Sequence, residues 1–137
     1  LMHIAVCIDD RGGMLFNGRR QSMDREVRSD LLRSAQGARL WMSAYTRRQF
    51  PGEPEGVLVA EDFLARAEAG DWCFVEDRPL RPWLERIESL TLYHWGRTYP
   101  ADRYLDVCPA EEGWRLTEQR ELSGRSHKTI TKEVYLR

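Results

Sequence analysis

The feature that most constrains the fold of this chain is a series of short apolar runs separated by segments of helical pattern. The first run, HIAVCI at residues 3–8, is continuous and contains β-branched side chains, which is typical of a strand buried on both faces of a sheet. Four later runs are also predicted to be strands: ARLWMS, GVLVA, DWCFVE and SLTLYHW. We expect HIAVCI to be central, and HIAVCI, GVLVA and DWCFVE to be neighbouring strands of one sheet.

Helical patterns lie between these runs. In the first of them, apolar residues recur at helical spacing at Val27, Leu31, Leu32 and Ala35. Either Ser22 or Asp24 offers an N-cap, and Gly37 follows as a residue suited to end the helix. The pattern therefore predicts an amphipathic helix over residues 24–36. Three shorter helices are predicted in AYTRRQF, EDFLARAEAG and PLRPWLERI.

The pattern changes at Gly113. GWRLTEQREL and KTITKEVYLR alternate polar and apolar residues, and only SGRSH lies between them, which predicts an antiparallel pair. The whole chain therefore reads as an α/β three-layer sandwich with a mixed, mostly parallel sheet and a C-terminal antiparallel hairpin. Its 137 residues suit a single domain, residues 1–137.

Composition excludes several classes of function. The net charge is −1 although 31% of residues are charged, so no global field favours nucleic acid or an anionic membrane. No apolar run is long enough to span a bilayer, and the first residues lack the pattern of a signal peptide. The three cysteines form no CxxC pair, which favours a reduced, cytoplasmic protein without a disulfide framework or a zinc site.

The candidate site lies in IDDRGGMLFNGRRQSMDREV, residues 8–27. Asp9 and Asp10 follow the first strand, and ligands of open α/β sheets collect at the carboxyl ends of parallel strands. The alternative is that this pair only begins a turn, helped by Asn17. The arginines of the region offer bidentate donors for a phosphate or carboxylate, or else pair on the surface with Asp24, Glu26 and Asp30. These arginines are Arg19, Arg20, Arg25 and Arg28.

The histidines carry less information. His3, His94 and His127 lie far apart without metal-binding spacing, so no metal site is predicted. His127 follows Ser126 and is either a proton carrier, if the final hairpin faces the first loop, or a turn residue with an ordinary hydrogen bond. No GxSxG, P-loop or CxxC motif occurs, so the patterns of standard hydrolases, nucleotidyl transferases and zinc enzymes are missing.

The order of these elements resembles dihydrofolate reductase over nearly the whole chain. IAVCIDDRGGMLFNGR is similar to that family's first strand and following loop, and ARLWMSAYTRRQF to its V-I-M-G-R-x-T-F strand and helix. GDWCFVEDRPLRPWLERIESLTLYHW resembles the strand, turn, helix and strand that follow. The family's closing hairpin is similar to GWRLTEQRELSGRSHKTITKEVYLR, including a Ser-His pair before the last strand. The resemblance implies a reductase-like fold.

Departures from the family bear on activity. Ser43-Ala44 stands where the resemblance implies a Gly-Arg pair that binds the cofactor phosphate, and Glu76-Asp77 stands where it implies a glycine run at the pyrophosphate. Gln21-Ser22 replaces the Pro-Trp that lies against substrate. The family's substrate carboxylate corresponds to Glu26, or to Asp24 or Asp30 in a shifted register. We therefore expect that NADPH binding and NADPH-dependent reduction are lost.

Two hypotheses of function remain. In the first, the chain is a binding protein that holds a small anionic or heteroaromatic ligand, or a partner protein, in a cleft at the first loop. The predicted ligand-binding residues are Asp9, Asp10, Asn17, Arg19, Arg20 and Glu26. In the second, carboxylates of this region recruit Mg²⁺ or Mn²⁺ and the arginines hold a phosphate ester or an RNA backbone. Those carboxylates are Asp9, Asp10, Asp24 and Glu26. The sequence leaves the ligand and the oligomeric state open.

Overall fold

The computed structural model describes residues 1–137 as one mixed sheet with helices on its faces and a small second sheet. The strands are β1 (Met2–Ile8), β2 (Gly13–Phe16), β3 (Arg19–Arg20), β4 (Leu40–Met42), β5 (Val57–Val59), β6 (Trp72–Phe74), β7 (Ile87–His94), β8 (Arg103–Tyr104), β9 (Arg115–Leu122) and β10 (Ile130–Leu136). The α-helices are α1 (Arg25–Ser34), α2 (Ala44–Arg47) and α3 (Phe63–Arg66), and a 3-10 helix spans Arg81–Arg86. None of these helices is both long and apolar enough to cross a membrane.

The main sheet has seven strands in the order β5-β4-β6-β1-β7-β10-β9. The five strands from β5 to β7 pair in parallel, and β10 and β9 complete the sheet as an antiparallel hairpin. The predicted mixed sheet with a C-terminal hairpin is therefore confirmed. The expected strand neighbours are corrected in one respect: β6 does adjoin β1, but GVLVA forms the edge strand β5, separated from β6 by β4. Two of its three residues are exposed, which fits an edge position.

Strand β1 divides the core between two faces because its side chains alternate. Ile4, Val6 and Ile8 belong to one apolar cluster, whereas Ala5 lies in the other cluster together with residues of α1. All four are buried, so the prediction of a strand buried on both faces is confirmed. The central position of β1 carries its last residue to the middle of the carboxyl edge of the sheet.

Helix α1 covers one face of the sheet. Its N-cap is Asp24, whose side chain accepts a hydrogen bond from the Glu26 N–H, and this settles the choice between Ser22 and Asp24. Val27 and Leu31 are buried against the sheet. On the opposite face lie α3 and the 3-10 helix, the latter in the segment PLRPWLERI, with proline in its first turn.

The first loop contains structure that the apolar pattern does not predict. Asn17 and Gly18 both have positive φ, 51° and 74°, and join β2 to β3 in a two-residue hairpin. Such a turn needs two left-handed residues, which Asn-Gly supplies. Strand β8 pairs with the other edge of β2. The small sheet holds Arg19 and Arg20 beside the carboxyl edge of the main sheet.

Replacing Leu31 by Ala tests the position of α1. Leu31 is fully buried, so we expect a loss of about 2–5 kcal/mol in the free energy of unfolding, from lost transfer energy and the cavity left behind. Urea denaturation measures it. The matched control is Leu116→Ala, because Leu116 is 42% exposed, and it should cost well under 1 kcal/mol. A similar small loss for Leu31→Ala would contradict the assigned helix face.

Candidate functional site

Four parallel strands bring polar or aromatic residues to one edge of the sheet. Asp9 follows β1, Ser43 follows β4, Glu76 follows β6 and Trp95 follows β7, and all four are buried. Ligands of open α/β sheets bind outside this edge. It is therefore the place where a site is expected.

An ion pair occupies part of this edge. Arg20 Nε lies 3.0 Å from Glu76 Oε2, and Arg20 Nη2 donates to Glu76 Oε1 at 3.1 Å. Thr46 Oγ1 donates to the same carboxylate at 2.9 Å. The Arg20 guanidinium also lies over the ring of Tyr45, 4.3 Å from its centre. These contacts join the first loop to β6 and α2.

Asp9 acts as an anchor for two loops. Its carboxylate accepts hydrogen bonds from the backbone N–H groups of Arg11, Gly13 and Tyr99 and from the side chain of Gln21, at 2.7 to 3.0 Å. Burial alone would raise the pKa of Asp9, but these donors outweigh it and lower the pKa below its usual value. Gly13 is required here, since a Cβ would lie 2.9 Å from the Asp9 carboxylate and 2.7 Å from Gln21 Nε2.

The six predicted ligand-binding residues lie in different surroundings. Asn17, Arg19 and Arg20 line one pocket of about 280 Å³ together with Phe16, Gln21, Tyr99 and Pro100. Asp9 and Glu26 are not among its lining residues: Asp9 is buried and bound to backbone, and Glu26 lies on α1, with its carboxylate 3.8 Å from Arg125 Nε. Asp10 is exposed and its carboxylate has no hydrogen-bond partner. Their role in binding a ligand stays a prediction.

A second pocket lies at the start of α1. It measures about 340 Å³ and is lined by Met23, Asp24, Arg25, Arg28, Arg125 and Ser126. Neither Arg25 nor Arg28 has a carboxylate partner within 4 Å, and Arg28 Nη1 is buried without a hydrogen-bond partner. The sequence indicated Arg25 and Arg28 as candidate anion receptors. It gave no signal for Arg125, which reaches them only because the final hairpin folds back onto α1.

Asp24 binds the loop before β10. Its carboxylate accepts hydrogen bonds from the N–H groups of Arg125, Ser126 and His127 and from Glu26 N–H. Burial alone would raise the pKa of Asp24, but these donors, with the Arg125 N–H the largest, hold it far below its usual range. The carboxylate therefore stays ionised.

His127 connects Asp24 to the first loop. His127 Nδ1 lies 3.3 Å from Asp24 Oδ2, and His127 Nε2 lies 3.0 Å from both Ser22 Oγ and Tyr99 Oη. The imidazole is buried and stacks on Trp95 with ring centres 4.5 Å apart. The final hairpin thus faces the first loop, which is the condition that the proton-carrier interpretation of His127 requires. Tyr99 had no distinguishing pattern in the sequence.

Asp30 lies in a separate buried cluster between α1 and the hairpin. Tyr93 Oη donates to Asp30 Oδ2 at 2.7 Å, Lys132 Nζ lies 2.8 Å from the same oxygen, and Arg120 also contacts the carboxylate. Burial alone would raise the pKa of Asp30, and these partners lower it. Among the three candidates for a substrate carboxylate, only Glu26 is free of such a network.

The carboxylates of the second hypothesis do not converge. Asp9 and Asp24 are bound to separate sets of backbone N–H groups, and no three acidic, histidine or cysteine side chains lie close enough to share a metal ion. The geometry therefore lends no support to Mg²⁺- or Mn²⁺-dependent chemistry at the first loop.

Comparison with known proteins identifies the fold as dihydrofolate reductase-like. A dihydrofolate reductase from Enterococcus faecalis, complexed with NADP(H) and RAB-propyl, is similar with a TM-score of 0.71, over 100% of this chain and 96% of that one, at 14% sequence identity. At this identity the similarity shows the fold alone. No protein-family model and no curated protein matches the chain. The expected reductase-like fold is confirmed.

Replacing Asp24 by Asn tests its anchoring role. At pH 7 we expect a loss of about 2–4 kcal/mol in the free energy of unfolding, because a charge-assisted cap and its loop contacts weaken. Since the folded-state pKa of Asp24 is lowered, its contribution is complete above the unfolded value of about 3.9 and is lost as pH falls through the folded value. Urea denaturation at pH 7 and pH 3 measures the difference, which should shrink at pH 3.

The matched control for this variant is Asp10→Asn. Asp10 is exposed and unpaired, so the change should stay within about 0.5 kcal/mol at both pH values. An Asp24→Asn loss of the same size at pH 7 and pH 3 would contradict a role for the charge.

Proposed function

We propose that this chain is a binding domain of dihydrofolate reductase-like fold that does not use NADPH and that takes a small anionic ligand in the pocket at the start of α1. The observation that carries the proposal is the set of three arginines around that pocket. Two of them lack carboxylate partners, and one guanidinium nitrogen is buried without a hydrogen-bond partner.

The loss of NADPH binding is supported by the strand ends. Ser43 and Ala44 offer no guanidinium where the resemblance implies one, and Glu76 and Asp77 place carboxylates where it implies glycine amides. Glu76 is also engaged by Arg20 and Thr46, so the ion pair stands at the edge that would receive a diphosphate. A carboxylate at that position repels phosphate, and the residues present do not fit the cofactor.

An anionic ligand suits the pocket at α1 for electrostatic reasons. A buried guanidinium nitrogen without a partner carries a desolvation cost that an acceptor oxygen would remove. Guanidinium groups bind carboxylate or phosphate in a bidentate manner, and the start of α1 adds the positive end of its dipole. Asp24, the one carboxylate in the lining, is already bound to N–H donors. Met23, 49% exposed, adds an apolar contact for the rest of the ligand.

Phosphate binding tests the pocket. At a phosphate concentration ten times the dissociation constant, mass action stabilises the folded state by about 1.4 kcal/mol, which raises the melting temperature by roughly 4 °C. The Arg28→Gln, Arg125→Gln double variant should lose most of this shift, as measured by differential scanning fluorimetry at constant ionic strength.

The control variant is Arg19→Gln, in the pocket of the first loop. Arg19 is exposed and forms no ion pair, so it should keep the full phosphate shift. If Arg19→Gln abolishes the shift and the double variant keeps it, the anion binds at the first loop and the pocket at α1 is wrong.

Cofactor binding is tested separately. We expect no saturable quenching of tryptophan fluorescence by NADPH in the low micromolar range and no reduction of dihydrofolate. An authentic dihydrofolate reductase serves as the positive control. Saturable quenching by NADPH would overturn the proposed loss of the cofactor.

A further inference from the structure

We propose that Ser22, His127 and Asp24 form a nucleophile, a general base and its orienting carboxylate, and that they hydrolyse carboxylic esters that carry a negatively charged group. The preference for a charged ester rests on the anion pocket proposed above. The assignment of Ser22 as the nucleophile does not rest on that pocket, because it is inferred from a different set of contacts.

The imidazole of His127 links the Asp24 carboxylate to the Ser22 hydroxyl through two hydrogen bonds. Asp24 Oδ2 lies 3.3 Å from His127 Nδ1, and His127 Nε2 lies 3.0 Å from Ser22 Oγ. An ionised carboxylate can only accept, so the proton of the neutral imidazole lies on Nδ1 and the lone pair of Nε2 faces Ser22. This is the arrangement in which a histidine removes the proton of a serine hydroxyl.

The surroundings hold the base in place. The ring of His127 is only 4% exposed and stacks on Trp95. The backbone N–H of His127 and those of the two residues before it bind Asp24. Because Asp24 stays ionised at neutral pH, it stabilises the imidazolium that forms when Ser22 gives up its proton. The residues lie in loops joined by tertiary contacts, so no linear motif such as GxSxG marks them.

Ser22 is reachable from solvent. It is partly exposed, and its chain neighbours line open pockets: Gln21 lines the pocket of the first loop and Met23 the pocket at α1. An ester bound through its anionic group to Arg28 and Arg125 would lie beside the segment that carries Ser22. Ser22 Oγ has no hydrogen-bond partner other than His127, so attack breaks no structural contact.

The reaction balances without a further reactant except water. The Ser22 oxygen bonds to the carbonyl carbon while its proton passes to His127 Nε2. The bond from that carbon to the alcohol oxygen then breaks, and the leaving alkoxide takes the proton, which leaves an acyl-serine. A water molecule gives its proton to Nε2 and attacks the acyl carbon, and Ser22 departs with that proton as the acid is released.

A fluorophosphonate probe tests the nucleophile. The Ser22 oxygen would displace fluoride from phosphorus, and intact-mass and peptide spectrometry would find one adduct, on Ser22. We expect Ser22→Ala to lower the labelling rate at least about 100-fold with unchanged melting temperature. The matched control, Ser123→Ala, changes an exposed serine without a hydrogen-bond partner in the connection between β9 and β10 and should label at the wild-type rate.

Tyr99 provides a second comparison, because its hydroxyl shares the lone pair of Nε2. Tyr99→Phe leaves that lone pair to Ser22 and should label at least as fast as the wild type. Wild-type labelling no faster than that of Ser22→Ala, or an adduct on Tyr99 instead of Ser22, would overturn the proposal.

Ester preference separates this proposal from the anion pocket. The p-nitrophenyl monoester of succinate should be hydrolysed at least about tenfold faster than the butyrate ester, and Arg28→Gln should remove that difference between the two esters. Labelling of Ser22 with equal rates for both esters would support the nucleophile and overturn the pocket as its specificity element.

Discussion

The arrangement of the carboxyl edge depends on the Asp24 carboxylate. One side of it caps α1 and the other binds the loop before β10, so a helix on the sheet face and a hairpin at the sheet edge share one anion. The fit is close: a Cβ at Gly124 would lie 2.8 Å from Asp24 Oδ2 and would also meet the carbonyl of His127. Without this anchor neither Arg125 nor His127 would be held beside α1.

Asp9 also uses a buried carboxylate to bind loop backbone. The two carboxylates together explain why this edge differs from an ordinary polar surface. Each is buried, and each is surrounded by N–H donors that make the charged form the stable one. The two carboxylates hold the backbone of the surrounding loops in place. The groups left over for a ligand include the arginines at α1 and the imidazole of His127 with its two hydroxyl partners.

Local pattern predicted most of the fold but only part of the site, for a physical reason. The β1 run, the α1 stripe through Val27 and Leu31, and the closing hairpin rest on periodicity within ten or so residues. The edge position of β5 depends on strand order, which periodicity does not contain. Arg20 with Glu76, and Asp24 with the loop before β10, are pairings of distant residues. Arg20, Glu76 and Asp24 stand out in the sequence, but their partners follow only from the tertiary structure.

Asp24 and the loop before β10 lie far apart in the sequence, and this separation affects how the protein folds. Three of the four backbone N–H groups that bind Asp24 lie 101 to 103 residues further along the chain, so each of these three hydrogen bonds closes a very long loop. The entropy of closing such a loop must be offset before the contact adds stability, and β1 must likewise wait for β7. The centre of the sheet and the carboxyl edge therefore both depend on closing long loops, whereas α1 and the β9–β10 hairpin form from segments close together in the sequence.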